Sequence, residues 1–176
     1  MTATAIVNAA LRRIGVTRLN SLENDQTKEA FAARDIYHFR RRELLGQHNW
    51  KFAKKRAQLT ESATAPPFGW ENTFIIPSDF IRLVSVHPTT DESGTMEYRL
   101  EFQSSDDRVI LTDQANCYII YIFDQQDANV FSPQFASVLA YVVAQDLAGA
   151  LNRPTELKQF SNTEYRRLLG IAKAID

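Results

Sequence analysis

Apolar residues recur at close to helical spacing over Ala30, Ala33, Tyr37, Leu44 and Leu45. The stripe predicts a long helix from about Gln26 to about Gln47, capped by Asp25 and stopped near Gly46. At ~1.5 Å per residue such a helix runs roughly 30 Å. Arg34 and Arg41 fall inside the stripe, where a charge requires a partner. Ala32, Ile36 and Phe39 make a second apolar strip on the opposite side. A helix with two apolar faces has to be covered twice, by its own domain or by another molecule.

Ahead of it, Thr4 to Ile14 reads as a short amphipathic helix that turns Ile6, Val7, Ala10 and Ile14 inward, with Gly15 as its stop. Behind it, His48 to Ala53 is aromatic and basic and is expected to continue as a bent helix into Lys54-Lys55-Arg56-Ala57-Gln58-Leu59. The stretch Glu61 to Gly69, with two prolines and a glycine, is a linker. From Trp70 to Phe123 the period falls to near 2. Strands are predicted at Phe74–Ile76, Ile81–His87, Met96–Phe102, Val109–Leu111 and Cys117–Phe123, with turns at Pro77 to Asp79, Ser104 to Asp107 and Asp113 to Asn116. The last strand is the most apolar and is expected at the centre of an antiparallel sheet. Ser132-Pro133 opens a helix that runs to about Leu151 and is apolar nearly all round. Asn152-Arg153-Pro154 starts a final helix with Leu157, Phe160, Leu168, Ile171 and Ile175 inward.

The fold class that follows is α+β: a bundle of about four helices, with an antiparallel β insertion between the second and third. The expected division is 1–65 with 128–176 for the bundle, and 66–127 for the insert.

Charge and chemistry change this picture little. The chain has 176 residues, a formal net charge of −1 and a charged fraction of 23%, a balance that argues against bulk attraction to nucleic acid or anionic membrane. The first residues are a poor signal peptide, and no stretch is long and apolar enough to span a bilayer, so a soluble intracellular product is expected. Cys117, the single cysteine, excludes an internal disulfide and is expected to be a small core residue. His38, His48 and His87 lack metal-ligand spacing. No phosphate-cradling glycine loop, GxSxG or HExxH occurs, so no catalytic, cofactor or metal site is expected. Asp146 and Glu164 project from apolar stripes of the last two helices. With Arg34 and Arg41 they are expected to form an internal salt-bridge cluster that sets helix register. The run Arg40-Arg41-Arg42 with Lys51, Lys54, Lys55 and Arg56, interleaved with Trp50 and Phe52, admits a nucleic-acid patch, a solvated face or a protein contact. Three consecutive arginines point three ways around a helix, and arginine with aromatics favours a protein interface.

Several short motifs appear in a fixed order. They are Ala10-Leu-x-x-Ile-Gly15, Ser21-Leu22, Glu29, Ala30 and Tyr37 on the long helix, and Arg42-x-Leu-Leu. Then come His48-Asn-Trp-Lys-Phe-Ala53, Ala57-x-Leu59, Phe68-Gly-Trp70, Ile76-Pro-x-Asp79-x-x-Arg82 and Leu111-Thr-Asp113. The aromatic strand Tyr118 to Tyr121, Asp127 and Phe131-x-Pro-x-Phe135 close the set. Together they resemble the tail tubular protein A family of short-tailed bacteriophages and related head-to-tail adaptor (head completion) proteins, over nearly the whole chain.

The resemblance implies a structural virion protein without cofactor. About a dozen copies would form a ring beneath the portal vertex and continue the DNA channel from capsid to tail nozzle. The implied partners are the portal protein, a tail tubular protein B-like nozzle, and sibling copies, with DNA in transit through a near-neutral channel. Assembly would take place in the host cytoplasm. Lys51 stands where many relatives have asparagine. Some adaptors grip the portal with a longer C-terminal arm, a role that falls here to the turns from Ile171 to Asp176. Combined with the second apolar strip, the expected interface residues are Ala32, Ile36, Phe39, Arg40, Arg42, Trp50, Lys54, Lys55, Ile171 and Ile175.

Overall fold

A computed structural model describes residues 1–103 and 107–176. It is an α+β structure that divides into a helical unit, Met1–Phe52 with Gln125–Asp176, and a β unit, Ala53–Asp124.

In the helical unit, α1 spans Ala3–Arg13. Thr2 caps it, its hydroxyl accepting from the Ala5 N–H at 3.2 Å. Gly15 takes a φ of +66°, and the Val16 N–H closes back on the Leu11 carbonyl at 3.0 Å. The long helix α2 covers Lys28–Gly46. Its cap is Thr27, which accepts from Ala30, and not Asp25 as expected from sequence. Asp25 accepts from the Asn20 N–H instead and holds the loop before the helix. Helix α3, Pro133–Ala150, starts at the Ser132 cap with proline in its first turn. It packs against α1, α2 and α4 (Thr155–Ile175) and is the buried axis of the unit.

Helix α4 departs from expectation. Phe160, Ile171 and Ile175 are exposed rather than inward, and the buried positions are Ser161 and Ala172. Leu157 and Leu168 are half-buried. Phe160, though exposed, still meets the Tyr141 ring of α3, centroids 6.5 Å apart.

The β unit holds β1 (Lys54–Gln58), β2 (Thr60–Glu61), β3 (Asn72–Ile75), β4 (Phe80–His87), β5 (Arg99–Phe102), β6 (Arg108–Thr112) and β7 (Tyr118–Phe123). They make two antiparallel sheets, β1-β7-β4 and β2-β3-β6-β5, where one was expected. As anticipated, β7 is central in its sheet. Phe74, Phe80, Ile110, Ile119 and Tyr121 from both sheets share one apolar cluster with Leu59, Ile76 and Cys117.

The expected assignment of 53–65 to the bundle and of 125–127 to the insert is wrong, and so is the helical continuation through Lys54 to Leu59: 53–65 lies in the β unit, 125–127 in the helical unit, and Lys54–Gln58 is strand β1. Its helix-forming lysines are outweighed by pairing with β7, register Lys54↔Ile122 to Gln58↔Tyr118, which satisfies the backbone of the most apolar strand. The turn expected at Ser104 to Asp107 falls, apart from Asp107, outside the described residues. Among the described residues no helix is long and apolar enough to cross a membrane.

Candidate interaction surfaces

The aromatic motifs on either side of the β unit meet inside the helical unit. After α2, a short 3-10 turn begins at Lys51 and brings Trp50 and Phe52 inward. Trp50 is fully buried, its indole N–H donating to the Leu44 carbonyl at 2.8 Å, and its ring stands edge-on to Phe135 with centroids 5.0 Å apart. Phe52 packs against Phe131 and Phe135 at 5.5 and 4.9 Å. Trp50 is therefore a core anchor, and its expected place at an interface is corrected: with no surface left, it cannot meet a partner.

The outer side of α2 is open. Phe31, Asp35 and Phe39 lie at i, i+4 and i+8 and form its ridge. Phe39 is 65% exposed and Phe31 is exposed as well. Ala32 and Ile36 flank the ridge half-buried, and Arg42 is exposed beside it. Guanidinium groups lie over both aromatic rings, Arg34 at 5.4 Å from the Phe31 centroid and Arg40 at 5.6 Å from that of Phe39. Phe31 is missing from the sequence-derived interface, although its spacing from Phe39 was a readable signal. A second open stripe runs along α4 through Phe160, Ile171 and Ile175, the last 60% exposed. Ile171 and Ile175, expected at an interface, are exposed.

The expected four-residue charge cluster does not assemble. Arg40, read as an interface residue, grips Asp146 with both arms, Nε–Oδ2 2.6 Å and Nη2–Oδ1 2.9 Å, and also reaches Glu43. This fork raises the Arg40 pKa above its usual value, the hydrogen bond to Asp146 being the largest cause. Arg34 instead ties down the loop before α2, donating to the carbonyls of Leu22, Glu23 and Asp25 at 2.9–3.2 Å. Arg41 is buried and donates to the Gln125 carbonyl. Glu164, half-buried on α4, pairs instead with Arg167 one turn on at 2.7 Å, which lowers its pKa. The sequence pattern placed all four on apolar stripes, yet a backbone carbonyl accepts from an inward arginine as a carboxylate oxygen can.

The basic run divides between the units. Lys54 is exposed on β1, Lys55 bonds Asp79 at 2.6 Å, and Arg56 pairs with Glu92. The expected interface residues Lys54 and Lys55 thus belong to the β unit, apart from those on α2. Among the described residues no three His, Cys, Asp or Glu side chains converge as metal ligands. A cleft of about 470 Å³ in the helical unit brings Arg18, Lys28 and Arg153 together with Asp25 and Glu29, and no histidine, cysteine or serine lines it.

The Tyr37 hydroxyl, on the buried side of α2, has no hydrogen-bond partner among the described residues, and burial pushes its pKa up to about 12. The unfolded chain ionises this group near pH 10, so its stabilising contribution is complete below that and drains away as pH climbs toward 12. Tyr37→Phe is therefore expected to leave stability unchanged or to raise it by about 1 kcal/mol at neutral pH. Urea midpoints at about pH 8 and about pH 11 should also show a smaller alkaline loss than in the parent.

No family model matches the chain, and no curated protein matches it either.

Proposed function

We propose that this chain is a structural adaptor of a bacteriophage head-to-tail junction. Copies of it would stand side by side in a ring between portal and tail nozzle and carry the DNA channel across. The observation that carries the reading is the pair of exposed rings on the α2 ridge, Phe31 and Phe39 on either side of Asp35, together with the exposed stripe Phe160, Ile171 and Ile175 on α4. Two apolar stripes on different helices suit head-to-tail contact between identical subunits, since a heterologous interface needs two unlike surfaces and closes into a ring when the rotation permits. The ordered motifs that resemble the tail tubular protein A family supply the location and the partners, portal and nozzle proteins. In this reading the chain binds no cofactor and performs no catalysis.

Mass measurement of the protein alone and after mixing with its portal protein tests the reading. Mixing is expected to give a complex holding many copies of the chain. The double variant Phe31→Asp/Phe39→Asp should abolish that complex while changing the unfolding free energy read from urea titration by no more than about 0.5 kcal/mol, as surface changes do. A chain that stays monomeric beside the portal and binds duplex DNA tightly, with affinity falling steeply as salt rises, would replace the adaptor by a nucleic-acid-binding module.

A further inference from the structure

We propose that a second copy of this chain adds its β5 strand to β5 of the first, antiparallel and about a two-fold axis, joining two four-stranded sheets into one. This goes beyond the adaptor reading and rests on none of the α2 or α4 surfaces.

The sheet edges are not equivalent. Strand β1 carries Lys54, Lys55 and Arg56 along its edge, β2 is two residues long, and β4 shifts register between Phe80 and Arg82 and again between Leu83 and Ser85. Charge, shortness and bulges are the usual protections of an edge. Strand β5 keeps an unbroken register with β6, Arg99↔Leu111 to Phe102↔Arg108, and among the described residues no strand pairs with its other side. Its even-numbered side chains, Leu100 and Phe102, share one face, which Tyr98 just before the strand continues, and all three are exposed, Phe102 by 59%.

The free edge has a definite parity. The Gln103 N–H bonds the Asp107 carbonyl at 2.9 Å, directly across the register, so the odd-numbered residues spend their backbone groups on β6. Tyr98, Leu100 and Phe102 consequently turn their N–H and C=O groups outward. An incoming antiparallel strand must pair outward residues with outward residues, which allows only registers that differ by two. One of these sets Leu100 opposite the other copy's Leu100, Tyr98 opposite Phe102, and Arg99 opposite Glu101. About six backbone hydrogen bonds, two aromatic pairs and two opposite-charge pairs then form together. The neighbouring allowed registers set Glu101 against Glu101 or Arg99 against Arg99, which like-charge repulsion disfavours. The strand is thus complementary to itself in one register, which points to a second copy rather than an unrelated strand.

Sedimentation equilibrium of the full chain over a range of concentrations reads the pairing. A reversible dimer is expected. Glu101→Arg should weaken it about tenfold, and Arg99→Glu/Glu101→Arg should restore it, since the swap returns opposite charges to each pair. Under mild oxidation Leu100→Cys should give a disulfide-linked pair, because directly opposed residues of a hydrogen-bonded pair lie ~5.5 Å apart at Cα, within disulfide reach. Arg99→Cys should not, being opposed to Glu101. A chain monomeric at every concentration overturns the pairing, as does a dimer indifferent to Glu101→Arg or one that cross-links equally through Arg99→Cys. Phe31→Asp/Phe39→Asp should leave the β5 dimer intact and Glu101→Arg should leave portal assembly intact, so the two readings fail separately.

Discussion

Trp50→Ala should destabilise the helical unit by about 3–5 kcal/mol, the range for deleting a buried large aromatic. The indole is fully buried, touches Phe135 edge-on, and sits where the chain leaves α2. Trp50→Phe separates packing from hydrogen bonding. It keeps a ring against Phe135 but drops the bond to the Leu44 carbonyl, which still accepts from the Gln47 N–H at 3.2 Å. The hydrogen-bond part of that loss is about 0.5–1.5 kcal/mol. Urea unfolding followed by far-UV circular dichroism distinguishes the two variants. Equal losses for both would mean that the hydrogen bond back to the end of α2, and not the aromatic contact with Phe135 of α3, accounts for the destabilisation.

Breaking the fork between Arg40 and Asp146 should give the next largest loss, about 2 kcal/mol for Asp146→Ala. That is below the cost of stripping a fully buried pair, because both side chains keep about a quarter of their surface in water, 23% and 24%, and Glu43 remains as a second partner. Arg40→Met/Asp146→Leu should recover most of the loss, since an apolar pair of similar volume avoids leaving either charge alone. A double-mutant cycle with coupling below about 0.5 kcal/mol would show that the pair contributes nothing beyond its packing.

The patterned elements were legible wherever a local rule had no rival. The stripe Ala30, Ala33, Tyr37, Leu44 and Leu45 is buried along α2, Ser132-Pro133 opens α3, and Gly15 closes α1. Failures occurred where a distant segment outbid a local preference. Lys54 to Gln58 is helix-forming on its own, but β7 needs a neighbour for its backbone. Asp25 looked like the cap of α2, yet Asn20 claimed its carboxylate and Thr27 took the position. Arg34 and Arg41 were recognised as inward charges, and backbone carbonyls proved to be among their oxygen partners, which no composition or spacing reveals.

The candidate surfaces divide in the same way. Phe39 is exposed as the second strip on its helix implied, and Phe31 was recoverable from the same period. The open stripe of α4 was not recoverable in full, because Phe160 reads inward by hydrophobicity and is exposed, while Ser161 and Ala172 take the buried positions. The free edge of β5 is likewise invisible along the chain, since being an edge is a property of strand order and not of any strand.

Most element types, the chain order and the apolar side of most helices follow from amino-acid pattern alone, because periodicity and capping act within a few residues. Which charges meet, which helix face stays open and which strand stands last in its sheet depended on packing, because those outcomes are competitions between segments far apart in the chain. The Arg40–Asp146 fork, 106 positions apart, is the plainest case.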